Sequence, residues 1–130
     1  SVGEIISSVH SIGTLTSLTN ATAANVTSIS LTAGDWDVWG NVVYLIGTAT
    51  TLNYVQQWVS SPSATAPAIE LSTRNVYVAG TVLGNTLISF NVATLRFSLS
   101  GTTTIYLSCT SGFGTDTMDA FGGIYARRRR

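Results

Sequence analysis

Lysine is absent from the 130-residue chain, and charged residues make up only 9% of it, well below the roughly 25% typical of soluble domains. The polar surface must therefore be built mainly from Ser, Thr, Asn and Gly. A surface with so few charges has weak protection against self-association. We expect part of it to be buried in an oligomer or in a larger assembly.

Cysteine and histidine occur once each, as Cys109 and His10. One cysteine excludes an internal disulfide bond and a multi-cysteine metal site. One histidine, with no G-x-S-x-G motif to mark a nucleophile, leaves little for acid–base or nucleophilic catalysis. Cys109 alternates with Leu107 and Ile105, and we interpret it as a small core residue. The sequence predicts a protein that is not an enzyme and that uses no cofactor.

Two pairs of acidic residues lie close together in the sequence, Asp35 with Asp37 in GDWDVWG and Asp116 with Asp119 in TDTMD. A calcium ion takes about six to eight oxygen ligands, more than either segment supplies. We interpret these residues as turn and strand-edge acids, and no metal site is predicted.

Long hydrophobic runs are also missing, since no segment approaches the roughly 18 apolar residues that a membrane-spanning helix needs. The N-terminal segment SVGEIISS lacks the basic and apolar parts of a signal peptide. We therefore expect no membrane association and synthesis in the cytoplasm.

Turn residues recur at short intervals, and the segments between them are rich in Val, Ile, Thr and aromatic residues, a pattern typical of strands. Strands are predicted at 5–18, 25–31, 36–47, 52–60, 68–72, 76–82, 86–99, 103–110 and 118–126. Eight or nine short strands with no connecting helix predict an all-β antiparallel β-sandwich of the jelly-roll type. We expect residues 1–126 to form one domain, with 1–24 as an N-terminal arm or edge strand and 127–130 as a basic tail.

Apolar residues occur on both faces of some predicted strands. The even positions from Trp36 to Ile46 are almost all apolar and should face the core, which directs Trp39 to the other side. Simple alternation places Tyr54 and Trp58 on one face with Leu52, and Val55 with Val59 on the other. It likewise groups Leu87 with Ala93, Leu95, Phe97 and Leu99. A second buried surface is therefore expected, either a subunit contact or a ligand platform, and its candidate residues are Trp39, Tyr54 and Trp58.

Four of the six arginines occupy the last four positions, Arg127, Arg128, Arg129 and Arg130. The remaining chain has two arginines and six acidic residues, a net charge of −4. Such a domain lacks the basic stripe of a nucleic-acid-binding protein. Guanidinium groups pair well with carboxylates, so the four arginines are predicted to form an arm that docks on an acidic neighbouring surface.

The segment VTSISLTAGDWDVWGNV at 26–42 and the ending AFGGIYARRRR at 120–130 resemble a group of small structural proteins encoded by tailed bacteriophages and prophages. Its members share a Val-Thr-Ser strand, a Leu-Thr-Ala-Gly-Asp-Trp turn and a C-terminal Gly-x-Ile-x-Ala-Arg-Arg strand. The resemblance is sharp at these two segments. It implies a virion component, and it carries no catalytic residues.

Two roles fit a virion component of this kind. The first is a capsid decoration, or cement, protein that binds outside the shell and bridges subunits of the major capsid protein. The second is the receptor-binding tip of a tail fibre, which recognises a glycan or a protein on the host surface. Both roles favour a homotrimer, because local three-fold positions of capsids and fibre heads share that symmetry.

Overall fold

Alternating β-branched and aromatic residues form ten strands within residues 2–130, the part of the chain that the computed structural model describes. The strands are β1 Ile5–His10, β2 Thr16–Ser17, β3 Ala24–Leu31, β4 Gly34–Ile46, β5 Thr51–Ser60, β6 Thr73–Val82, β7 Leu87–Asn91, β8 Leu95–Leu99, β9 Thr103–Gly114 and β10 Met118–Arg128. A short 3-10 helix, Ile69–Leu71, lies between β5 and β6.

The strands form two antiparallel sheets. The first sheet has the order β1-β10-β4-β7, with β2 also paired to β10 and β8 also paired to β4, and the second has the order β3-β9-β5-β6. Most connections cross from one sheet to the other, as in a jelly roll. The predicted all-β antiparallel sandwich is confirmed.

The core lies between the sheets and contains the predicted inward face of β4. Trp36, Val38, Val42, Tyr44 and Ile46 have no exposed surface. The second sheet contributes mainly Leu52, Val55, Val59, Ile105, Leu107 and Cys109. Burial raises the pKa of the Cys109 thiol to about 12, which agrees with its predicted place as a core residue.

Three of the predicted strands do not form as single strands, and two others are longer than predicted, since β6 begins at Thr73 and β9 ends at Gly114. The segment 5–18 is interrupted after His10 by a turn in which the Thr14 amide donates to the Ser11 carbonyl. The segment 68–72 forms the 3-10 helix instead of a strand. The segment 86–99 divides into β7 and β8. Three residues connect Asn91 to Leu95, whereas two residues of β4 separate their partners Asn41 and Val38, so one residue is extra.

One extra residue in a strand reverses which of the following side chains face the core. At two places such a residue makes the predicted grouping of side chains on one face wrong. Leu87 points away from the core, whereas Leu95 and Phe97 pack against it. In β5 the extra residue is Asn53, so that Leu52 lies in the core with Val55 and Val59. Tyr54 and Trp58 consequently lie on the opposite side from Leu52.

The two ends of the chain meet in the first sheet. β1 is an edge strand, and its partner β10 runs through Arg128, two residues beyond the predicted end of the domain at 126. Ser1, included in the predicted 1–126 domain and 1–24 arm, lies outside the described residues.

We expect Trp36→Ala to lower the free energy of unfolding by about 3–5 kcal/mol. Trp36 is fully buried, and its Nε1 donates a hydrogen bond of 2.9 Å to the carbonyl oxygen of Thr32. The matched variant Trp39→Ala removes a half-buried ring of the same strand and should cost clearly less. Urea unfolding followed by circular dichroism measures both variants, and equal losses would contradict the assignment of Trp36 to the core.

Candidate interaction surface

The first sheet has a second side, directed away from the core, that we call the outer face. Its residues follow from the strand registers: Ile5, Ser7 and Val9 of β1; Ser17 of β2; Asp119, Phe121, Gly123, Tyr125 and Arg127 of β10; Asp37, Trp39, Asn41, Val43 and Leu45 of β4; Leu87, Ser89 and Asn91 of β7; and Arg96 of β8. Between Asp119 and Leu45 at one end and Arg127 and Asp37 at the other, these residues are uncharged.

Two aromatic rings stack on the outer face. Trp39 and Tyr125 are paired across β4 and β10, and their ring centroids lie 6.0 Å apart with an angle of 18° between the planes. Both side chains are half-buried. Trp39 therefore lies on the side of the sheet away from the core, as the alternation predicts, and Tyr125 lies beside it as a residue that the sequence patterns did not single out. Burial of this side by a subunit or a ligand stays a prediction.

A shallow depression of about 440 Å³ lies beside this aromatic pair. Its apolar lining consists mainly of Val9, Ile12, Val43, Leu87 and Phe121, and its polar lining includes His10, Ser11, Asn41 and Tyr125. Within residues 2–130 the side chains of His10 and Asn41 form no hydrogen bond. The depression thus combines apolar walls with polar groups that are open to an external partner.

The other two aromatic candidates lie in the second sheet, apart from Trp39. Tyr54 is half-buried, and the Arg74 guanidinium lies 4.2 Å from the centre of its ring. Trp58 has no exposed surface, and its Nε1 is buried without a hydrogen-bond partner among the described residues. A partner can touch Trp58 only if the residues covering it move.

Arg128 closes one end of the core. Its Nε donates to Glu4 at 3.1 Å, and its two terminal nitrogens donate to the Ala33 carbonyl oxygen at 2.8 Å and to the Thr32 hydroxyl. The guanidinium lies 4.3 Å from the centre of the Trp36 ring. Arg128 thus ties the N-terminal segment and the turn between β3 and β4 to the end of β10.

The neighbouring arginines pair with carboxylates of β4. Arg129 lies 3.5 Å from Asp37, and Asp35 accepts from Arg96 at 2.6 Å and from Arg130 at 3.2 Å. The hydrogen bond from Arg96 is the main cause that lowers the pKa of Asp35. The two aspartates are therefore ion-pair partners of the basic segment.

Arg127 and Asp119 differ from these residues, because in the described part of the chain neither forms an ion pair or a side-chain hydrogen bond. Arg127 is exposed and Asp119 is half-buried, and both belong to the outer face. Three of the four arginines of the predicted docking arm thus have partners within the chain. The docking role itself stays a prediction, and Arg127 is the arginine that is available for it.

No three metal-ligating side chains of residues 2–130 are grouped so that they could hold an ion. No helix in the same range is long and apolar enough to cross a membrane.

The fold has counterparts among solved structures, although no family model and no curated protein matches the chain. A chain in the structure of infectious bursal disease virus, Gx strain, is similar over 97% of this chain and 32% of its own length, with 12% identity and a TM-score of 0.52. A chain of the VP2 subviral particle of the same virus matches over 98% of this chain and 30% of its own length, with 14% identity and a TM-score of 0.44. The first likeness shows a shared fold, over about a third of the viral chain.

We expect Arg128→Ala to lower the free energy of unfolding by about 1–3 kcal/mol, because it removes several charge-assisted hydrogen bonds and the contact with Trp36. Arg127→Ala should leave the stability of the single subunit almost unchanged, since Arg127 has no partner among residues 2–130. Denaturant unfolding of the two variants at low protein concentration measures the difference. A loss for Arg127→Ala as large as that for Arg128→Ala would contradict these assignments.

The arginine pairs also predict a dependence of stability on pH. Hydrogen bonds from Arg96 and Arg128 lower the pKa values of Asp35 and Glu4, respectively. Because the folded state holds these protons less tightly than the unfolded chain, the stabilisation is present above the ordinary pKa values and is lost as the pH falls below about 4.

Unfolding measured between pH 6 and pH 3 tests this dependence. The double variant Glu4→Gln with Asp35→Asn should lose less stability over this range than the unchanged protein. High salt should reduce the difference, because the pairs lie at the surface, where dissolved ions screen them. Identical pH profiles for the two proteins would show that the pairs contribute nothing.

Proposed function

We propose that the chain is a non-enzymatic structural component of a bacteriophage particle, namely a capsid decoration protein that binds the outer shell and stabilises it. The outer face of the first sheet carries this proposal. Val9, Ile12 and Leu87 are 58%, 55% and 50% exposed, and they surround a depression next to the stacked Trp39 and Tyr125. A contiguous apolar surface of this kind is typical of a contact with another macromolecule.

Three further observations support a place in a virion. The same sandwich occurs as about a third of a chain in a solved virus structure. The sequence segments at 26–42 and 120–130 resemble structural proteins of tailed phages. Low charge suits a protein whose surface is partly covered by neighbours.

The proposed partners are the major capsid protein and other copies of this chain. A surface on the shell that is rich in carboxylates fits the basic end of β10, where Arg127 has no partner among the described residues. The homotrimer expected from the sequence remains a prediction.

The alternative is a receptor-binding tip of a tail fibre, and the depression on the outer face is the observation that favours it. Aromatic rings that lie beside hydrogen-bonding groups suit a sugar, which presents apolar C–H faces and hydroxyl groups. Phe121 and Tyr125 supply the rings, and His10 and Asn41 supply polar groups without partners in residues 2–130. In this role the ligand is a glycan or a protein on the host surface.

Particles that lack the protein distinguish the two roles. For a decoration protein we expect particles that adsorb normally but release their DNA at a lower temperature or after a milder osmotic shock. Purified protein added back should restore their resistance. For a fibre tip, adsorption should fall while thermal resistance stays unchanged. Particles that are normal in both assays would contradict both roles.

A further inference from the structure

The outer face of β10 has a sequence that is complementary to itself. Its outward residues are, in order, Asp119, Phe121, Gly123, Tyr125 and Arg127. An acid and a base therefore stand at equal distances from a central glycine, with an aromatic residue on each side between them. Consider a second copy of β10 related to the first by a twofold axis that passes near Gly123, parallel to the sheet and perpendicular to the strand. Phe121 of one copy then lies over Tyr125 of the other, and Asp119 lies over Arg127.

We propose that the outer face is a contact between two copies of this chain, related by a twofold axis near Gly123, with β10 of one copy antiparallel to β10 of the other. Arg127 of each copy then pairs with Asp119 of the second copy. The contact is isologous, so one self-complementary surface serves both subunits.

Charge complementarity selects a second copy as the occupant. At the Arg127 end, five arginines meet three side-chain carboxylates, and the ion pairs among residues 2–130 leave Arg127 unused. At the opposite end Asp119 has no partner among the described residues, and Asp116 is held by the backbone amides of Ala49 and Thr117. Each end thus carries the charge that the other end lacks.

The distances suit such a contact. Residues 119 and 127 are eight positions apart, or about 26 Å along an extended strand, so both ion pairs lie at the rim and leave the apolar centre between them. Stacked sheets pack about 10 Å apart with strand directions within about 30° of each other. β10 can therefore lie antiparallel to its copy without bending.

The centre of the face is shaped by Gly123, which has no side chain of its own. A Cβ atom built on Gly123 would lie 2.8 Å from the Tyr125 hydroxyl oxygen, which shows that Tyr125 leans over this position. The proposed rotation brings Tyr125 of the second copy towards Phe121 and the depression beside it. The depression then receives an aromatic ring of the partner.

The outer face is also large enough for a specific contact between two copies. β1, β10, β4 and β7 lie side by side, and four strands at a spacing of about 4.8 Å cover about 19 Å. With a length of about 26 Å, the flat area is about 500 Å² for each copy and about 1,000 Å² for the pair, which reaches the lower limit for specific interfaces.

The edge of the second sheet is a weaker candidate for self-association. Val76, Val78 and Val82 of β6 are exposed. Between Val76, which pairs with Tyr54, and Thr81, which pairs with Leu52, however, β6 contains a bulge. Such a bulge hinders the addition of another strand. The outer face of the first sheet has no comparable obstacle.

This inference does not depend on a place in a virion, because it concerns the purified protein. It gives a twofold contact in place of the homotrimer expected from the sequence. The same outer face supports the shell contact proposed above, so a dimer that forms through it makes a second copy, and not the shell, the occupant of this face. The particle experiments and the dimerisation experiments have separate readouts, so either proposal can fail while the other stands.

Cysteine cross-linking tests the arrangement directly. We would prepare Asp119→Cys and Arg127→Cys separately and treat each alone, and then both mixed, with a short bifunctional maleimide. The mixture should give a covalent dimer, whereas each variant alone should give almost none, because equivalent positions lie far apart across the axis. The native Cys109 is buried and should stay unmodified. Cross-linking of either variant alone, or none in the mixture, would overturn the proposal.

Charge reversal supplies a second test. Asp119→Arg and Arg127→Asp should each weaken dimerisation about tenfold or more in sedimentation equilibrium, since each dimer contains the pair twice. The double variant restores opposite charges across the contact and should regain most of the affinity. Glu70→Arg, on the segment before β6, is the matched control and should have no effect. A double variant that is as weak as the singles, or a trimer as the assembled species, would overturn the twofold contact.

Discussion

The pairing of β10 with β4 is the constraint on which the other features depend. The two strands match without a break from Met118 with Ile46 to Arg128 with Trp36. Because neighbouring residues alternate between faces, this register sends Ile124 and Ala126 into the core and Phe121 and Tyr125 to the outer face. The same register brings the end of β10 to the start of β4, where the arginines meet carboxylates.

This arrangement explains a charge distribution that looks unbalanced in the sequence. The four C-terminal arginines are adjacent in the chain, but the strand and its extension direct them to different partners. Arg128 lies against Trp36 and Glu4, and Arg130 reaches Asp35. These contacts stabilise the end of the sandwich and leave a positive charge at Arg127. Together with Asp119, it makes the outer face positive at one end and negative at the other.

The sequence was sufficient for the fold class and for the inward face of β4, because the alternation from Trp36 to Ile46 has no interruption. It failed where one inserted residue reversed the alternation, as at Asn53, since a bulge depends on the neighbouring strand. The partners of the arginines were also out of reach, because Glu4 and Arg128 are brought together only by the pairing of β1 with β10. The alternation correctly directed Trp39 away from the core, but its neighbour Tyr125 required knowledge of the register.

The central claim is that the inner side of β10 holds the fold while its outer side binds another copy of the chain. Backbone amide spectra recorded by NMR over a dilution series test this claim most directly. The account predicts concentration-dependent shifts at Phe121, Gly123, Tyr125 and Trp39, with little change on the exposed side of β6. Shifts confined to β6, or spectra that do not change up to millimolar concentration, would contradict it.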